Sequence, residues 1–217
     1  MVKKFMMAAV LLGFAAGPAT AGVLLNPIGD PSQFAAPGPG VVWDFNSNAV
    51  PAGFSPITGT GYTIQSTSDY AGAMPAYSDG TPFLAVQGNG SATLQSMLDF
   101  NSVSWFQGSI DAYNEVSILD TMGNVIQSFT GSQLTDPLLA DGNQSINVTN
   151  RRLTYQRSSG DASIGGIRFE SGANSLETDN VVFAVPEPST WIFMLIGFGV
   201  IGVSMRARRR RTNLVLA

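Results

Sequence analysis

Asp111, Tyr113 and Asn114 stand within four positions of one another and offer a carboxylate, an aromatic ring and an amide. Together these groups can hold a sugar, because carboxylate and amide atoms bond to hydroxyl groups and an aromatic ring packs against the apolar face of the sugar ring. The same residues would also suit a plain loop that contains Asx turns and a half-buried tyrosine. We therefore treat them as candidate ligand-binding residues, with the plain loop as the alternative.

Asp44 lies near the end of the first predicted strand of the body, and Asp179 with Asn180 lies at the start of the last one. In a jelly roll the terminal strands pair, which would bring these carboxylate and amide oxygens together. Ca²⁺ prefers oxygen ligands of this kind, so the sequence predicts a Ca²⁺ site at this position. The alternative is that all three are ordinary turn and strand-edge residues.

The sequence contains no cysteine and no histidine. A thiolate nucleophile, a Ser-His-Asp triad, and zinc or copper sites built on these residues are therefore excluded. Glycosidases that use a pair of carboxylates remain, and Asp111 with Glu115 is a pair to consider. Two carboxylates four positions apart are expected by chance in an acidic protein. We expect a protein that is not an enzyme, with a secreted glycosidase as the least favoured function.

The body of the chain, residues 22–185, carries 14 acidic side chains and four arginines, a net charge of −10. A surface of this charge repels nucleic acid and anionic lipid, so we do not expect nucleic acid as a partner. The charge suits a solvated extracellular protein or one that recruits Ca²⁺. Arg151, Arg152 and Arg157 form a basic cluster, which we expect to be a solvated strand face. Contact with an anionic polysaccharide is the alternative.

The body has the pattern of an all-β protein. Short runs rich in Val, Ile, Phe and Tyr are separated by Gly, Ser, Thr, Asn and Asp, and no segment keeps a helical period. Many short strands at this spacing are typical of antiparallel sandwiches and barrels. We predict an antiparallel two-sheet β-sandwich of jelly-roll type over 41–185, after an irregular N-terminal segment, 22–40. The predicted strands cover 41–45, 61–66, 83–86, 92–98, 102–107, 113–119, 125–130, 145–150, 153–156, 164–170 and 179–184.

Two local patterns in the body predict particular structures. Residues 87–90 read Gln-Gly-Asn-Gly, and Asn-Gly favours a tight hairpin turn, so we expect the strands on either side to pair. Trp43 and Trp105 have neighbours that alternate as buried strand residues do. We expect both tryptophans in the core rather than as platforms for a sugar.

The start of the chain has the composition of a secretory signal peptide over 1–21. Two lysines precede an apolar run, 5–16, and a small-x-small cleavage site ends at Ala21. Cleavage there would make Gly22 the first residue of the mature chain. A retained N-terminal anchor is the alternative, but an apolar run of 12 residues is short for one.

The tail combines an extended motif, an apolar segment and a basic cluster. Pro186, Glu187 and Pro188 favour extended backbone, because proline lacks an N–H group and restricts the residue before it. The segment 190–205 has no charged side chain, and we predict a transmembrane helix there, with Trp191 at the outer interface. A basic cluster on the cytoplasmic side follows the positive-inside rule. Its arginines are Arg206, Arg208, Arg209, Arg210 and Arg211, and a short cytoplasmic tail, 212–217, ends the chain.

This order of motif, helix and arginines over 186–211 resembles the PEP-CTERM sorting signal of Gram-negative bacteria. The resemblance implies that an exosortase, a membrane-embedded cysteine protease-transpeptidase, cleaves the chain near Pro186, Glu187 and Pro188. It also implies a precursor anchored transiently in the inner membrane, and delivery of the mature protein to the cell surface or extracellular matrix. A plain C-terminal anchor is the alternative. A buried core helix is not expected, because an arginine cluster does not follow one in a soluble domain.

A second resemblance covers most of the body. The stretch 105–114, the opening Trp43-Asp44-Phe45 and the closing stretch 177–181 are similar to one group of exosortase-dependent surface proteins. That resemblance implies a sandwich like those of lectins and carbohydrate-binding modules, and it implies no particular ligand.

Three functions therefore stay open. The leading one is a non-enzymatic surface or matrix protein that associates with exopolysaccharide in a biofilm. The second is a carbohydrate- or Ca²⁺-dependent binding module with a defined glycan, and the third is a secreted glycosidase.

Overall fold

The computed structural model describes residues 22–25, 34, 38–47, 49–135, 139–158, 160–184 and 197–199. Within these ranges the body is antiparallel β-structure with one short helix, α1 (Gly131–Leu134), after the seventh strand. The strands are β1 (Gly22–Leu25), β2 (Val41–Trp43), β3 (Thr58–Gln65), β4 (Phe83–Phe100), β5 (Ser102–Gly108), β6 (Asn114–Asp120), β7 (Val125–Thr130), β8 (Arg151–Gln156), β9 (Ile164–Ser171) and β10 (Leu176–Ala184).

These strands form one continuous sheet in the order β1-β8-β5-β10-β4-β9-β6-β7, with β2 beside β10 and β3 beside β4. The sheet curls so that strands far apart in this order face each other. The rings of Trp105 on β5 and Phe169 on β9 are 6.5 Å apart, and those of Phe129 on β7 and Tyr155 on β8 are 6.0 Å apart. The predicted all-β antiparallel fold is confirmed, but its two layers are joined by hydrogen bonds into a single curled sheet.

The long strand β4 joins the two layers. Near its start Val86 lies opposite Leu176 of β10, and farther along Ala92 lies opposite Phe169 of β9. Between these parts Asn89 has a φ of 60°, whereas Gly88 and Gly90 are not in the positive-φ region. A type I′ hairpin needs positive φ at two successive residues. The hairpin predicted at 87–90 was therefore wrong, because a single left-handed residue bends the strand without reversing it.

Residues 145–150, predicted as a strand, form turns instead. Thr149 Oγ1 donates to the carbonyl oxygen of Asn143 at 2.5 Å. Asn150 Nδ2 donates to the carbonyl oxygens of Asn143 and Ile146 at 2.7 and 2.9 Å. Side chains that bond to nearby carbonyl groups offer the backbone an alternative to a sheet, so this polar segment does not extend.

The N-terminal segment 22–40 contains ordered elements that the sequence pattern did not predict. Its first residues form β1, which pairs with β8 so that Leu25 lies opposite Leu153. Phe34 is 5% exposed, and its ring packs edge-on against Phe106 at 5.0 Å. The expectation of a wholly irregular segment was therefore wrong at β1.

The core lies between the two layers of the curled sheet. It contains Trp43 and Trp105, which are 4% and 0% exposed, so their predicted place in the core is confirmed. Trp105 Nε1 donates to Gln107 Oε1 at 3.1 Å, which satisfies the polar atom of the buried indole.

The chain divides into a unit that ends at Ala184 and a second unit, 185–217. The predicted signal peptide, the Pro-Glu-Pro motif, the arginine cluster and the cytoplasmic tail lie outside the described residues. Of the predicted anchor helix, 190–205, only 197–199 are described, and these are helical. Among the described residues, no helix has the length and apolar character needed to cross a membrane.

Candidate functional site

Four loops at one end of the body enclose a polar cleft of about 200 Å³. They are the connections from β3 to β4, from β5 to β6, from α1 to β8 and from β9 to β10. The loops after β5 and before β10 are neighbours because Gly108 lies opposite Glu177. The side chains that line the cleft include those of Asp69, Tyr70, Asp111, Gln144, Asn174 and Glu177.

Tyr70 stands on the rim of the cleft with 87% of its surface exposed. The backbone around it is fixed by a tight turn in which Asp69 N donates to Gly72 O at 3.0 Å, and Ala71 N donates to Asp69 Oδ1 at 2.7 Å. Across the cleft, Asn174 Nδ2 donates to the carbonyl oxygen of Tyr70 at 3.1 Å. The ring is thus presented to solvent from an ordered loop.

Asp111 lines the cleft from the loop between β5 and β6. The hydroxyl group of Tyr113 lies 2.6 Å from Asp111 Oδ2 and 2.8 Å from the carbonyl oxygen of Asn174, so its one proton serves two acceptors. Burial raises the pKa of Asp111, the hydrogen bond from Tyr113 opposes this rise, and the nearby charge of Asp141 adds to it. Burial and the hydrogen bond to Asp111 also raise the pKa of Tyr113, which therefore acts as a neutral donor.

Glu177 forms part of the floor of the cleft and is 2% exposed. Its Oε2 accepts a hydrogen bond from Ser109 Oγ at 2.6 Å, and its Oε1 accepts from Ala73 N at 3.1 Å and from Ser175 Oγ. Burial raises the pKa of Glu177, and the two serine hydroxyl groups oppose this rise. One carboxyl group therefore connects three of the four loops.

The three predicted sugar-binding residues lie in different environments in the structure. Asp111 lines the cleft, and Tyr113 supports it through their hydrogen bond. Asn114 is 1% exposed, its Oδ1 accepts from Asp111 N at 2.8 Å, and its Nδ2 donates to Ser171 Oγ at 3.1 Å. The prediction that Asn114 contacts a ligand is corrected, because a buried amide with internal partners holds the loop instead. Glu115, the possible catalytic partner of Asp111, lies on β6 and is not among the residues that line the cleft.

Tyr70, Asn174 and Glu177 were missed as site residues because they come from loops far apart in the sequence. One local signal was available for Tyr70, because the residues around it show no alternating pattern that would predict its burial. No such signal exists for Glu177, because strand alternation predicts an inward position but not which loops will meet there.

Asp179 lies two positions beyond Glu177 and is fully buried. Its Oδ1 accepts a hydrogen bond from Asn180 N at 2.6 Å, and its Oδ2 has no hydrogen-bond partner among the described residues. Burial raises the pKa of Asp179 to about 8, and the charges of Asp79 and Asp44 add to the rise while Arg152 opposes it. This carboxyl group is therefore poorly satisfied.

The predicted Ca²⁺ ligands are brought near one another by the pairing of β2 with β10, in which Trp43 lies opposite Val181. Asp44 Oδ1 accepts from Asn46 N at 3.1 Å in an Asx turn. Asn180 donates through Nδ2 to the carbonyl oxygen of Phe34 at 3.3 Å. In the part of the chain that the structure describes, no group of three or more acidic side chains is arranged to hold a metal ion.

Two of the three arginines of the predicted basic cluster do not lie on a solvated strand face. The third, Arg157, follows β8, is half-buried, and donates to Asn101 Oδ1 at 3.0 Å. Arg151 and Arg152 are only 4% and 1% exposed. Arg152 donates to Ser104 Oγ at 2.8 Å and to the carbonyl oxygens of Asn180 and Phe34 at 3.0 and 2.7 Å. Its guanidinium group therefore ties the N-terminal segment to the last strand, and it does not offer a surface for an anionic polymer.

The tail matches a known family model. Residues 184–211 match the PEP-CTERM protein-sorting motif. The chain carries a PEP-CTERM sorting signal. The match begins at the residue where β10 ends, so the PEP-CTERM signal follows the last strand of the body directly in sequence.

The solved structures to which this chain is similar include carbohydrate-binding modules. A variant of the family 29 module CBM29-2 has a TM-score of 0.41 and 13% identity, and the match covers 70% of this chain and 99% of the module. A CBM29-2 variant in complex with mannohexaose has a TM-score of 0.40 and 12% identity, with coverage of 77% and 94%. The xylan-binding domain CBM22-1 of Paenibacillus barcinonensis Xyn10C has a TM-score of 0.36 and 13% identity, with coverage of 68% and 97%. No curated protein matches this chain in sequence.

Proposed function

We propose that this protein is an exported bacterial surface or matrix protein that binds a glycan, without chemical turnover, in the cleft between its four loops. The observation that supports this most directly is the ring of Tyr70, which is 87% exposed on an ordered loop beside a polar cleft. An exposed aromatic ring on a fixed backbone can pack against a sugar at little cost in conformational entropy.

The rest of the cleft offers the groups that a bound sugar needs. Asp111, Gln144 and Asn174 line it with carboxylate and amide atoms, which can accept from and donate to hydroxyl groups. Pockets for drug-sized ligands measure roughly 300–1,000 Å³, so a cleft of about 200 Å³ suits about one sugar unit. A longer polysaccharide would extend beyond it over the surrounding loops.

A non-catalytic role accounts for the hydrogen bonds of the two innermost carboxyl groups. Glu177 uses both of its oxygens to hold Ser109, Ser175 and Ala73. Asp111 Oδ2 is engaged by Tyr113. A general acid or nucleophile must instead direct its reactive oxygen at the substrate. We infer that Glu177 maintains the shape of the cleft, and that Tyr113 holds the carboxyl group of Asp111 in place to bind a ligand rather than to react with it.

The PEP-CTERM signal supports export of this protein. We propose that an exosortase in the inner membrane of a Gram-negative cell cleaves the precursor near Pro186, Glu187 and Pro188. Trp191 and the arginine cluster would hold the precursor in the membrane until cleavage. The mature protein would then associate with exopolysaccharide in a biofilm.

Changing the three motif residues to alanine should leave uncleaved precursor in the membrane fraction, and normal release of that variant would contradict the proposal.

Glycan binding is tested with recombinant 22–185 and the exopolysaccharide of the producing organism. Tyr70→Ala should lower the affinity about tenfold or more, because aromatic anchors carry a large share of binding energy. Tyr77→Ala is a matched control, since Tyr77 is 42% exposed on the same long loop but does not line the cleft. Equal affinities for the two variants would contradict a binding site at Tyr70.

As a second function, we propose that Asp179 binds Ca²⁺ together with Asp44 and Asn180. This site is separate from the exposed cleft that would bind the glycan. It is favoured by the buried Oδ2 of Asp179, which has no hydrogen-bond partner in the described ranges. Ca²⁺ should then raise the melting temperature, since a ligand at 100 times its Kd stabilises the folded state by about 2.7 kcal/mol. Asp179→Asn should abolish the rise. A melting temperature that is the same in Ca²⁺ and in chelator would contradict this site.

A further inference from the structure

Among the described residues, the charged side chains that line the cleft between the four loops, here called the glycan cleft, are all acidic. Asp69, Asp111 and Glu177 contribute carboxyl groups, and none of the described residues that line the cleft is a lysine or an arginine. Asp141 adds a further charge next to Asp111, with which it forms an isolated β-bridge. The potential in the cleft is therefore negative, in a body that already carries an excess of acidic residues.

The carboxylate of Asp111 stays accessible because the residue packed against it is glycine. A Cβ atom at Gly142 would lie 2.4 Å from Asp111 Oδ2 and 2.6 Å from Oδ1. Any side chain at this position would cover the carboxylate. Gly142 also has a φ of 68°, a conformation that suits glycine, so the backbone itself specifies the residue that leaves Asp111 open.

These charges distinguish the three chemical classes of sugar. A uronic acid would bring a carboxylate towards carboxylates, which is unfavourable. A neutral sugar would form ordinary hydrogen bonds. A protonated amine on the sugar would form charge-assisted hydrogen bonds to the carboxylates, and these are about twice as strong as neutral ones.

We propose, as a refinement that rests on the glycan-binding function above, that the cleft selects an amino sugar with a free ammonium group. The ring of the sugar packs on Tyr70, its ammonium group faces Asp69 and Asp111, and its hydroxyl groups bond to Gln144 and Asn174. The aromatic ring and the two amides are the reason to assign a sugar rather than a basic peptide, because together they match the apolar face and the hydroxyl groups of a sugar ring, which a lysine side chain does not carry.

The test compares oligosaccharides that differ at one group. The full chain, purified in mild detergent with a chelator present, is titrated calorimetrically with a β-1,4-linked glucosamine tetrasaccharide, its N-acetylated form and a uronic acid tetrasaccharide. We expect the glucosamine form to bind about tenfold more tightly than the acetylated form. This preference should shrink as salt is added, and the uronic acid form should not bind.

Charge variants separate a local effect from a change in net charge. Asp69→Asn and Asp111→Asn should each remove most of the preference for the amine, measured as the ratio of the affinities of the two tetrasaccharides for the same variant. Asp99→Asn removes the same charge near the other end of β4, where Asp99 lies 3.8 Å from Arg157, and should keep the preference. Loss of the preference in all three variants would overturn the assignment to Asp69 and Asp111.

The remaining outcomes distinguish this inference from the function on which it rests. If the acetylated form binds as tightly as the amine and Tyr70→Ala weakens both, the glycan site stands and the selectivity is overturned. If a tetralysine peptide binds as tightly as the amino sugar, the cleft recognises charge without a sugar and the inference is likewise overturned. If no oligosaccharide binds and Tyr70→Ala leaves binding of the exopolysaccharide unchanged, both proposals fail.

Discussion

Glu177 and Asp179 lie two positions apart on β10 with their carboxyl groups buried, yet their surroundings differ. Glu177 accepts hydrogen bonds from Ser109, Ser175 and Ala73. Asp179 accepts one from Asn180, and its second oxygen has no partner in the described part of the chain. Burial raises the pKa of both groups.

The comparison shows that burial alone does not determine what a carboxyl group does. Inside a protein, a polar group that lacks partners is costly, whereas a fully bonded network makes one arrangement rigid. Glu177 belongs to such a network and holds the loops of the cleft together. Asp179 retains an oxygen that no described group satisfies, which makes it the candidate for an added ligand.

The largest effect is expected from Glu177→Ala. The change removes the acceptor of two hydroxyl groups and one N–H group, and each buried group left without a partner costs about 1–3 kcal/mol. We expect the free energy of unfolding, measured with urea, to fall by about 3 kcal/mol. Glu170→Ala is the control, because Glu170 pairs with Arg168 at the surface and such pairs contribute about 0–1 kcal/mol. Equal losses in both variants would contradict the role of Glu177 as a connection between loops.

A smaller loss is expected from Asn114→Ala, which tests the other buried member of the network around the cleft. The amide of Asn114 bonds to Asp111 N and to Ser171 Oγ, and its removal should cost about 2 kcal/mol in the free energy of unfolding. Asn46→Ala is the control at an exposed position. A variant that keeps its stability but loses glycan affinity would restore Asn114 as a ligand-binding residue.

Asp179→Asn should change stability little when it is measured in chelator. The substitution keeps the shape of the side chain, and because burial raises the pKa of Asp179 to about 8 the carboxyl group that it replaces is largely neutral near pH 7. We therefore expect a difference within about 1 kcal/mol. A loss as large as that of Glu177→Ala would remove the contrast between the two groups. It would show that Asp179 has a structural role which its one hydrogen bond does not explain.

The smallest effect is expected from Tyr113→Phe, at the exposed edge of the same network. The hydroxyl group bonds to Asp111 and Asn174, but Tyr113 is 38% exposed, so water can replace these bonds. We expect a loss of about 0.5 kcal/mol, measured by urea unfolding. Tyr70→Phe is the control and should not alter stability, because its ring and hydroxyl group are exposed to solvent.

Most strands of the body could be predicted because short runs of apolar residues are separated by turn residues, although β5 and β6 turn out to be buried on both faces along almost their whole length. The errors occurred where polar residues determine the backbone. At 87–90 the Asn-Gly pair produced a bend within β4, and at 145–150 the side chains of Thr149 and Asn150 took the carbonyl groups that a strand would have used. The local sequence at each of these places is compatible with either the predicted or the observed backbone, and contacts with neighbouring segments determine which one forms.

The candidate site could be predicted only in part. The sequence drew attention to Asp111 and Tyr113, which do form a hydrogen-bonded pair at the cleft. It did not reveal Tyr70, Asn174 or Glu177, because these residues meet Asp111 only when four loops assemble at one end of the sheet. It also grouped Arg151 and Arg152 as a basic surface, whereas the curled sheet buries them.

The sequence by itself determined the sorting signal, the all-β class, the core positions of Trp43 and Trp105, and the lack of imidazole and thiol chemistry. These properties depend on composition, on short motifs and on a period of two residues, which are local. The tertiary structure alone decided which acidic groups share the cleft, which oxygen of Asp179 has no partner among the described residues, and which tyrosine faces solvent. These properties depend on contacts between distant segments, and such contacts form only because burial of the core brings the strands together.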